Sequence, residues 1–138
     1  EFWTFKQSKN HVMMGSIDAW FYKYIAGIQL DELNPAFAEF QVKPLALDSL
    51  AKGKAQIETL RGKLRSEWVS YPGLFSLKLE VPFNTVAKVF LPGNERDKVK
   101  EGGSSLKHAD GIEYLGFKDG AHQMRVHSGK YEFTTSKN

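Results

Sequence analysis

Tyr71-Pro72-Gly73-Leu74-Phe75-Ser76-Leu77-Lys78-Leu79-Glu80-Val81-Pro82-Phe83-Asn84 is the stretch on which the fold depends. Phe75, Leu77, Leu79 and Val81 alternate with Ser76, Lys78 and Glu80, so one face of an extended segment is apolar and the other polar. Successive side chains of a strand point to opposite faces, and a period of two marks a strand packed on one side. Tyr71-Pro72-Gly73 and Pro82-Phe83-Asn84, which bracket it, are turn sequences. Proline presets one backbone angle there, and glycine or asparagine accepts a left-handed one. A two-faced strand has to cover its apolar side with a second layer.

The same pattern extends outward in both directions. Upstream, Leu64, Ser66 and Trp68 share a face after a turn or bulge at Arg61-Gly62-Lys63. Ala55, Ile57 and Thr59 alternate with Gln56 and Glu58, and Phe40 and Val42 alternate with Gln41 and Lys43. Leu45 to Lys52 has no period and reads as a loop. Downstream come Ala87, Val89 and Leu91, then Pro92-Gly93-Asn94. Glu95 to Gly111 is charged and glycine-rich, with a weak strand near Lys98 to Lys100. Ile112 to Phe117, a hairpin at Asp119-Gly120, the row His122, Met124 and Val126, a turn at Ser128-Gly129, and Tyr131 with Phe133 close the chain. About eight or nine short strands with turns every 8–12 residues predict a mainly β fold, a jelly-roll-like antiparallel β-sandwich. No helical stretch separates the strands, so a parallel sheet is not expected.

The N-terminal part follows a different period. Met13, Met14, Ile17, Trp20, Phe21, Tyr24, Ile25 and Ile28 fall on one side of a helix running from Met13 to Ile28. Asn10 or Ser16 is a candidate cap, and Gly27 a candidate stop. Asn34-Pro35 then breaks the pattern. A face bearing Trp20, Phe21 and Tyr24 is too heavily aromatic for a lone surface helix and calls for partner helices. The chain opens Glu1-Phe2-Trp3-Thr4-Phe5, aromatic from the outset. The expectation is a piece cut from a larger protein, with the helix's partners elsewhere and the exposed helix face available for self-association.

Composition narrows the function classes. The 138 residues suffice for one domain and an attached element, and 41% hydrophobic with 25% charged residues suits a folded globular chain. The net charge of +3 is spread among interspersed signs, without the basic stripe that nucleic-acid binding requires. The absence of cysteine rules out disulfides and thiolate metal sites. No apolar run reaches membrane-spanning length. A secreted, periplasmic or cytoplasmic location is equally compatible.

Few residues suggest chemistry. Zinc needs three or four ligands close together. Of His11, His108, His122 and His127, the last two fall on opposite faces of one expected strand and read as ordinary sandwich histidines. His11 reads either as a residue at a helix start or as a functional group. Hydrolysis of a glycosidic bond usually takes two carboxyl groups flanking it. Glu58, Glu67 and Glu80 alternate with apolar residues and so face solvent. Glu1 beside Phe2 and Trp3 is either a frayed terminus or a carboxylate in an aromatic sugar site. Trp68, Tyr71 and Phe75 could form a sugar-stacking platform, but Trp68 and Phe75 lie on inward rows and read as core.

Asn10-His11-Val12-Met13-Met14-Gly15-Ser16-Ile17-Asp18-Ala19-Trp20-Phe21-Tyr22-Lys23-Tyr24-Ile25-Ala26-Gly27-Ile28 resembles the inverting family of bacterial α-L-rhamnosidases. That family runs an Asn-His pair, a Gly-Ser step and an aromatic helix ending Ala-Gly-Ile in the same order. Gly62-Lys63-Leu64-Arg65-Ser66-Glu67-Trp68, Val81-Pro82-Phe83-Asn84-Thr85, Val89-Phe90-Leu91-Pro92 and Ser128-Gly129-Lys130-Tyr131-Glu132-Phe133 are similar to later motifs of the family, so the likeness covers almost the whole chain.

The resemblance implies that residues 1–30 are the last helix and end of an (α/α)6 catalytic barrel, and that 31–138 are a C-terminal β-sandwich. It implies a parent that hydrolyses terminal α-L-rhamnosides with inversion and without a cofactor or metal, acting on rhamnose-containing glycans or glycosides. His11 matches the histidine that contacts rhamnose, and Glu1 resembles the general base of a Glu-x-Trp motif. The general acid would lie outside this chain, leaving the fragment itself structural and inactive. The rival reading is a stand-alone sandwich that binds carbohydrate or a protein surface. Another helical-barrel glycosidase with a similar tail is a third.

Overall fold

A computed structural model describes residues 21–30, 38–45, 50–106 and 109–136. The elements are a π-helical turn, Phe21–Ile25, and eleven strands: β1 Ile28–Leu30, β2 Glu39–Val42, β3 Lys52–Thr59, β4 Gly62–Tyr71, β5 Leu74–Val81, β6 Val86–Pro92, β7 Lys98–Glu101, β8 Ser104–Ser105, β9 Ile112–Lys118, β10 Ala121–Val126 and β11 Gly129–Ser136. They form two sheets, one in the order β1-β2-β6-β10-β9 and the other β3-β4-β5-β11-β7-β8.

The inner rows are those the alternation marks. On β5, Phe75, Leu77, Leu79 and Val81 are buried, and on β6 Ala87, Val89 and Leu91. They meet Phe40 and Val42 of β2, Leu64 and Trp68 of β4, Met124 and Val126 of β10 and Phe133 of β11 in one core between the sheets. Trp68, Phe40 and Phe133 are the largest fully buried side chains, and each fully buried aromatic contributes on the order of 1.5–3 kcal/mol of transfer free energy. The β9–β10 hairpin turns at Asp119 and Gly120, both with positive φ (53° and 74°), as a tight two-residue reversal requires.

Three expectations need correction. The helix expected from Met13 to Ile28 is not evident: Phe21–Ile25 make one π-helical turn and Ile28 begins β1, opposite Val42. Met13 through Trp20 lie outside the described residues. The break comes at Gly27, whose φ is +73° and whose missing Cβ would stand 2.3 Å from the backbone carbonyl of Lys43. Only glycine can take that angle and that proximity together. Ile28 fits a helical period as well as a strand, and it is buried here by pairing.

Second, the described residues form eleven strands, where about eight or nine are expected. The unforeseen β1 and β8 have three and two residues, too few to show a period. Third, β2 and β6 run parallel, Phe40 opposite Ala87 and Val42 opposite Val89. Parallel neighbours need a long crossover, usually a helix. Here β3, β4 and β5 of the opposite sheet provide the length. Every other strand pair among the described residues is antiparallel.

Candidate functional site

Of the candidate site residues, Glu1 and His11 lie outside the described residues. What the structure does place is Ile25 to Gly27, which the sandwich holds by three hydrogen bonds. Trp68 and Ser66 point inward from β4. The Trp68 indole donates its Nε1–H to the carbonyl of Ile25 at 2.7 Å, and the Ser66 hydroxyl donates to the carbonyl of Ala26 at 3.0 Å. Lys43 N–H donates to the Gly27 carbonyl at 2.7 Å. Three consecutive carbonyls, the orphans left where a helical turn stops, are thus satisfied by the sandwich.

The turn packs against β1 and β3, which are the edge strands of the two sheets on that side. It therefore bridges the two layers at their edge strands. Close approach is built into β3 as well: a Cβ on Gly53 would lie 2.5 Å from Trp68 Nε1. On the outer side of the turn Tyr24 remains 40% exposed, with the Lys23 amine 5.7 Å from its ring centroid.

The inward rows of Trp68 and Phe75 lead to the core and not to a sugar-stacking platform. Trp68 and Phe75 are core residues, stacked with centroids 5.7 Å apart, whereas Tyr71 is 60% exposed at the end of β4. His122 is buried, and both its ring nitrogens are used. Nε2 sits 2.9 Å from the Asn94 carbonyl and Nδ1 2.8 Å from the Tyr114 hydroxyl. A carbonyl can only accept, so Nε2 carries the proton and Nδ1 accepts from Tyr114. The Tyr114 phenol is pushed above its usual range, first by burial and then by the charge of Glu95. His127, one residue past β10, is exposed, and His108 lies outside the described residues. Among the described residues no three histidine or carboxylate side chains converge to hold a metal.

The strand carboxylates lie on the outer face, in an ordered array. Across β4, β5 and β11, Arg65, Glu80 and Lys130 stand in one row, and Glu67, Lys78 and Glu132 in the next. Every charge has an opposite neighbour. Ion pairs form between Arg65 and Glu67, Lys78 and Glu132, and Lys130 and Glu80. The hydrogen bond from Arg65 holds the Glu67 carboxyl below the usual carboxylate range against a smaller opposing effect of burial. A base or acid for catalysis needs the opposite environment, desolvated and poised near neutrality, so these groups read as a solvated face.

The motifs behind the family resemblance have structural tasks. Gly62 to Trp68 carries both donors that hold the π-helical turn. In Val81-Pro82-Phe83-Asn84-Thr85, Asn84 takes φ 53°, the Thr85 hydroxyl donates to the Pro82 carbonyl at 2.6 Å, and Arg61 donates to the Asn84 carbonyl at 3.0 Å. In Ser128-Gly129-Lys130-Tyr131, the Tyr131 ring lies over Gly129, where a Cβ would come within 3.0 Å of its hydroxyl. The grip of Trp68 and Ser66 on the preceding segment was not foreseen. A serine on an otherwise apolar inward row was the available signal, since a buried hydroxyl needs a partner.

Comparison with known proteins agrees with this architecture. The family model of the bacterial alpha-L-rhamnosidase C-terminal domain matches residues 27–105. An alpha-L-rhamnosidase of Streptomyces avermitilis is 29% identical over 127 residues, which is 92% of this chain and 11% of that protein. The solved structure of an alpha-L-rhamnosidase from Dictyoglumus thermophilum superposes with a TM-score of 0.77 at 32% identity, over 93% of this chain and 14% of that one. The Streptomyces avermitilis enzyme, solved in complex with L-rhamnose, superposes with a TM-score of 0.73 at 27% identity, over 87% and 11%. The chain thus spans only 11–14% of the length of these relatives.

Proposed function

This chain belongs to the bacterial alpha-L-rhamnosidase C-terminal domain family, and from that premise we propose that it serves as the terminal sandwich of a glycosidase that cleaves terminal α-L-rhamnosides with inversion. The observation that supports this best is a likeness extending over 93% of the chain to an enzyme of which it forms 14%. In this reading residues before the sandwich end the catalytic barrel, and the sandwich anchors them. The three carbonyl contacts of Ile25, Ala26 and Gly27 are the physical basis for that anchoring role.

Inversion needs a carboxylate to activate water on one face of the sugar while an acid protonates the leaving oxygen on the other. Glu1 takes the role of base and His11 that of a sugar contact, with the acid supplied by the rest of the parent. The chemistry asks for no cofactor. A rhamnose-containing glycan or glycoside is the parent's substrate, and the fragment alone is inactive.

The test is turnover of an aryl α-L-rhamnoside by the parent and by this chain. The parent should release β-L-rhamnose first, seen by NMR before mutarotation, and Glu1→Gln in the parent should lower kcat by about 10²–10⁴-fold. Turnover by the isolated chain, α-L-rhamnose as the first product, or a parent inactive on rhamnosides would each overturn the proposal.

A further inference from the structure

At the end of the sandwich opposite the Pro82–Thr85 turn, the β4–β5 turn and the segment after β6 enclose an open pocket of about 290 Å³. Ser70, Tyr71, Leu74, Asn94, Asp97 and Thr135 are among its lining residues. Its size is at the lower limit of ligand pockets, roughly 300 Å³, enough for one small ring and not a chain of them.

Three features set this pocket apart from an ordinary surface dimple. Tyr71 and Leu74 are 60% and 41% exposed, an aromatic ring and an aliphatic side chain presented side by side to solvent at a turn. Asp97 is held in place: one carboxylate oxygen accepts from the Asn94 N–H at 2.8 Å, and its own N–H donates to the Asn94 carbonyl at 3.0 Å. The other carboxylate oxygen accepts no hydrogen bond among the described residues. Thr135, only 3% exposed, has a buried hydroxyl with no hydrogen-bond partner among the described residues. A buried hydroxyl left without a partner costs free energy and calls for an explanation.

Gly93 makes room for this arrangement. A Cβ there would stand 2.9 Å from the Asp97 carboxylate and 2.9 Å from the Thr135 methyl. Any side chain at position 93 would occupy the space where those two residues approach each other.

An exposed aromatic face, a carboxylate and the Ser70 hydroxyl form a matched set of groups at this pocket. The ring packs against the C–H face of a pyranose, the carboxylate accepts hydrogen bonds from its O–H groups, and the serine hydroxyl donates or accepts. An anionic ligand does not fit, because Asp97 repels it. We propose that this pocket binds a single neutral sugar ring. It goes beyond the glycosidase reading and does not depend on it.

The test is a titration of the ¹⁵N-labelled 138-residue chain, followed by amide shifts. The probes are methyl α-L-rhamnopyranoside, methyl α-D-mannopyranoside and glycerol. Either sugar should give saturable shifts confined to residues 70–75, 93–97 and 135, with a dissociation constant on the order of 1–10 mM, the scale for about a dozen heavy atoms. Glycerol should give none. Tyr71→Ala should weaken binding at least about tenfold, and Tyr71→Phe, which keeps the ring, should restore it; both substitutions are at an exposed site, so the dispersed spectrum should survive. A lack of saturable shifts with both sugars up to about 100 mM, shifts equal to those from glycerol, or sugar shifts unchanged in Tyr71→Ala would overturn the proposal. Loss of rhamnosidase activity in the parent would have no bearing on this readout, so the two proposals fail separately.

Discussion

The two faces of β4 use polar groups in opposite ways. Facing inward, Ser66 and Trp68 each have one donor and one partner, and both partners are backbone carbonyls of the preceding segment, 40 and 43 residues away in sequence. Facing outward, Arg65 and Glu67 belong to an array of six alternating charges across three strands. The inner contacts are few and shielded, so each missing partner leaves a buried carbonyl unsatisfied. The outer ones are numerous and wet, and water replaces any of them at little cost. The number of polar contacts on a face is therefore a poor guide to how much that face holds together.

Trp68→Ala should give the largest effect. It leaves a cavity in the core and frees the Ile25 carbonyl, for about 3–5 kcal/mol in urea denaturation. Ser66→Ala changes little volume but strands the Ala26 carbonyl, and should cost about 1–3 kcal/mol. Lys78→Ala, which removes the centre of one charged row, should cost no more than about 1 kcal/mol, and that cost should shrink in high salt. Equal urea midpoints for Ser66→Ala and Lys78→Ala would break the contrast between the faces.

The smallest effect concerns pH. The Glu67 carboxyl titrates below its reference value of 4.5 because Arg65 favours its charged form. A depressed folded value means the contribution is present above about 4.5 and is lost as pH falls through the folded pKa. Glu67→Gln should therefore slightly flatten the fall in melting temperature between about pH 5 and pH 2, and leave it unchanged above pH 6. A steeper acid limb in the variant would contradict the assigned direction.

The strands were readable because alternation and turn residues agreed over β3 to β6 and β9 to β11. Those segments are long enough for a period of two to repeat. β1 could not be read this way: Ile28 fits the helical row as well as a strand, and the deciding contact is between Gly27 and a residue 16 positions later, Lys43. The parallel pairing of β2 with β6 was hidden for a similar reason, since local pattern does not state which strands become neighbours. Of the candidate site, Trp68 and Phe75 as core followed from inward rows, and His122 as an ordinary sandwich histidine from its place on an expected strand. The partners of Trp68 and Ser66 did not, because a donor's row shows that it is buried but not whom it meets.

The grip of β4 on the π-helical turn also has a consequence for the order of events during synthesis. The turn leaves the ribosome before its anchor exists. At roughly 5–20 residues per second, the 43 residues separating Ile25 from Trp68 mean a wait of about 2–9 s. Throughout that interval the carbonyls of Ile25 and Ala26 have only water as partner, and the edges of the two sheets do not yet exist. The π-helical turn is thus made first and locked last. The sandwich acts as a delayed clasp, one that closes only after translation has moved well beyond the part it secures.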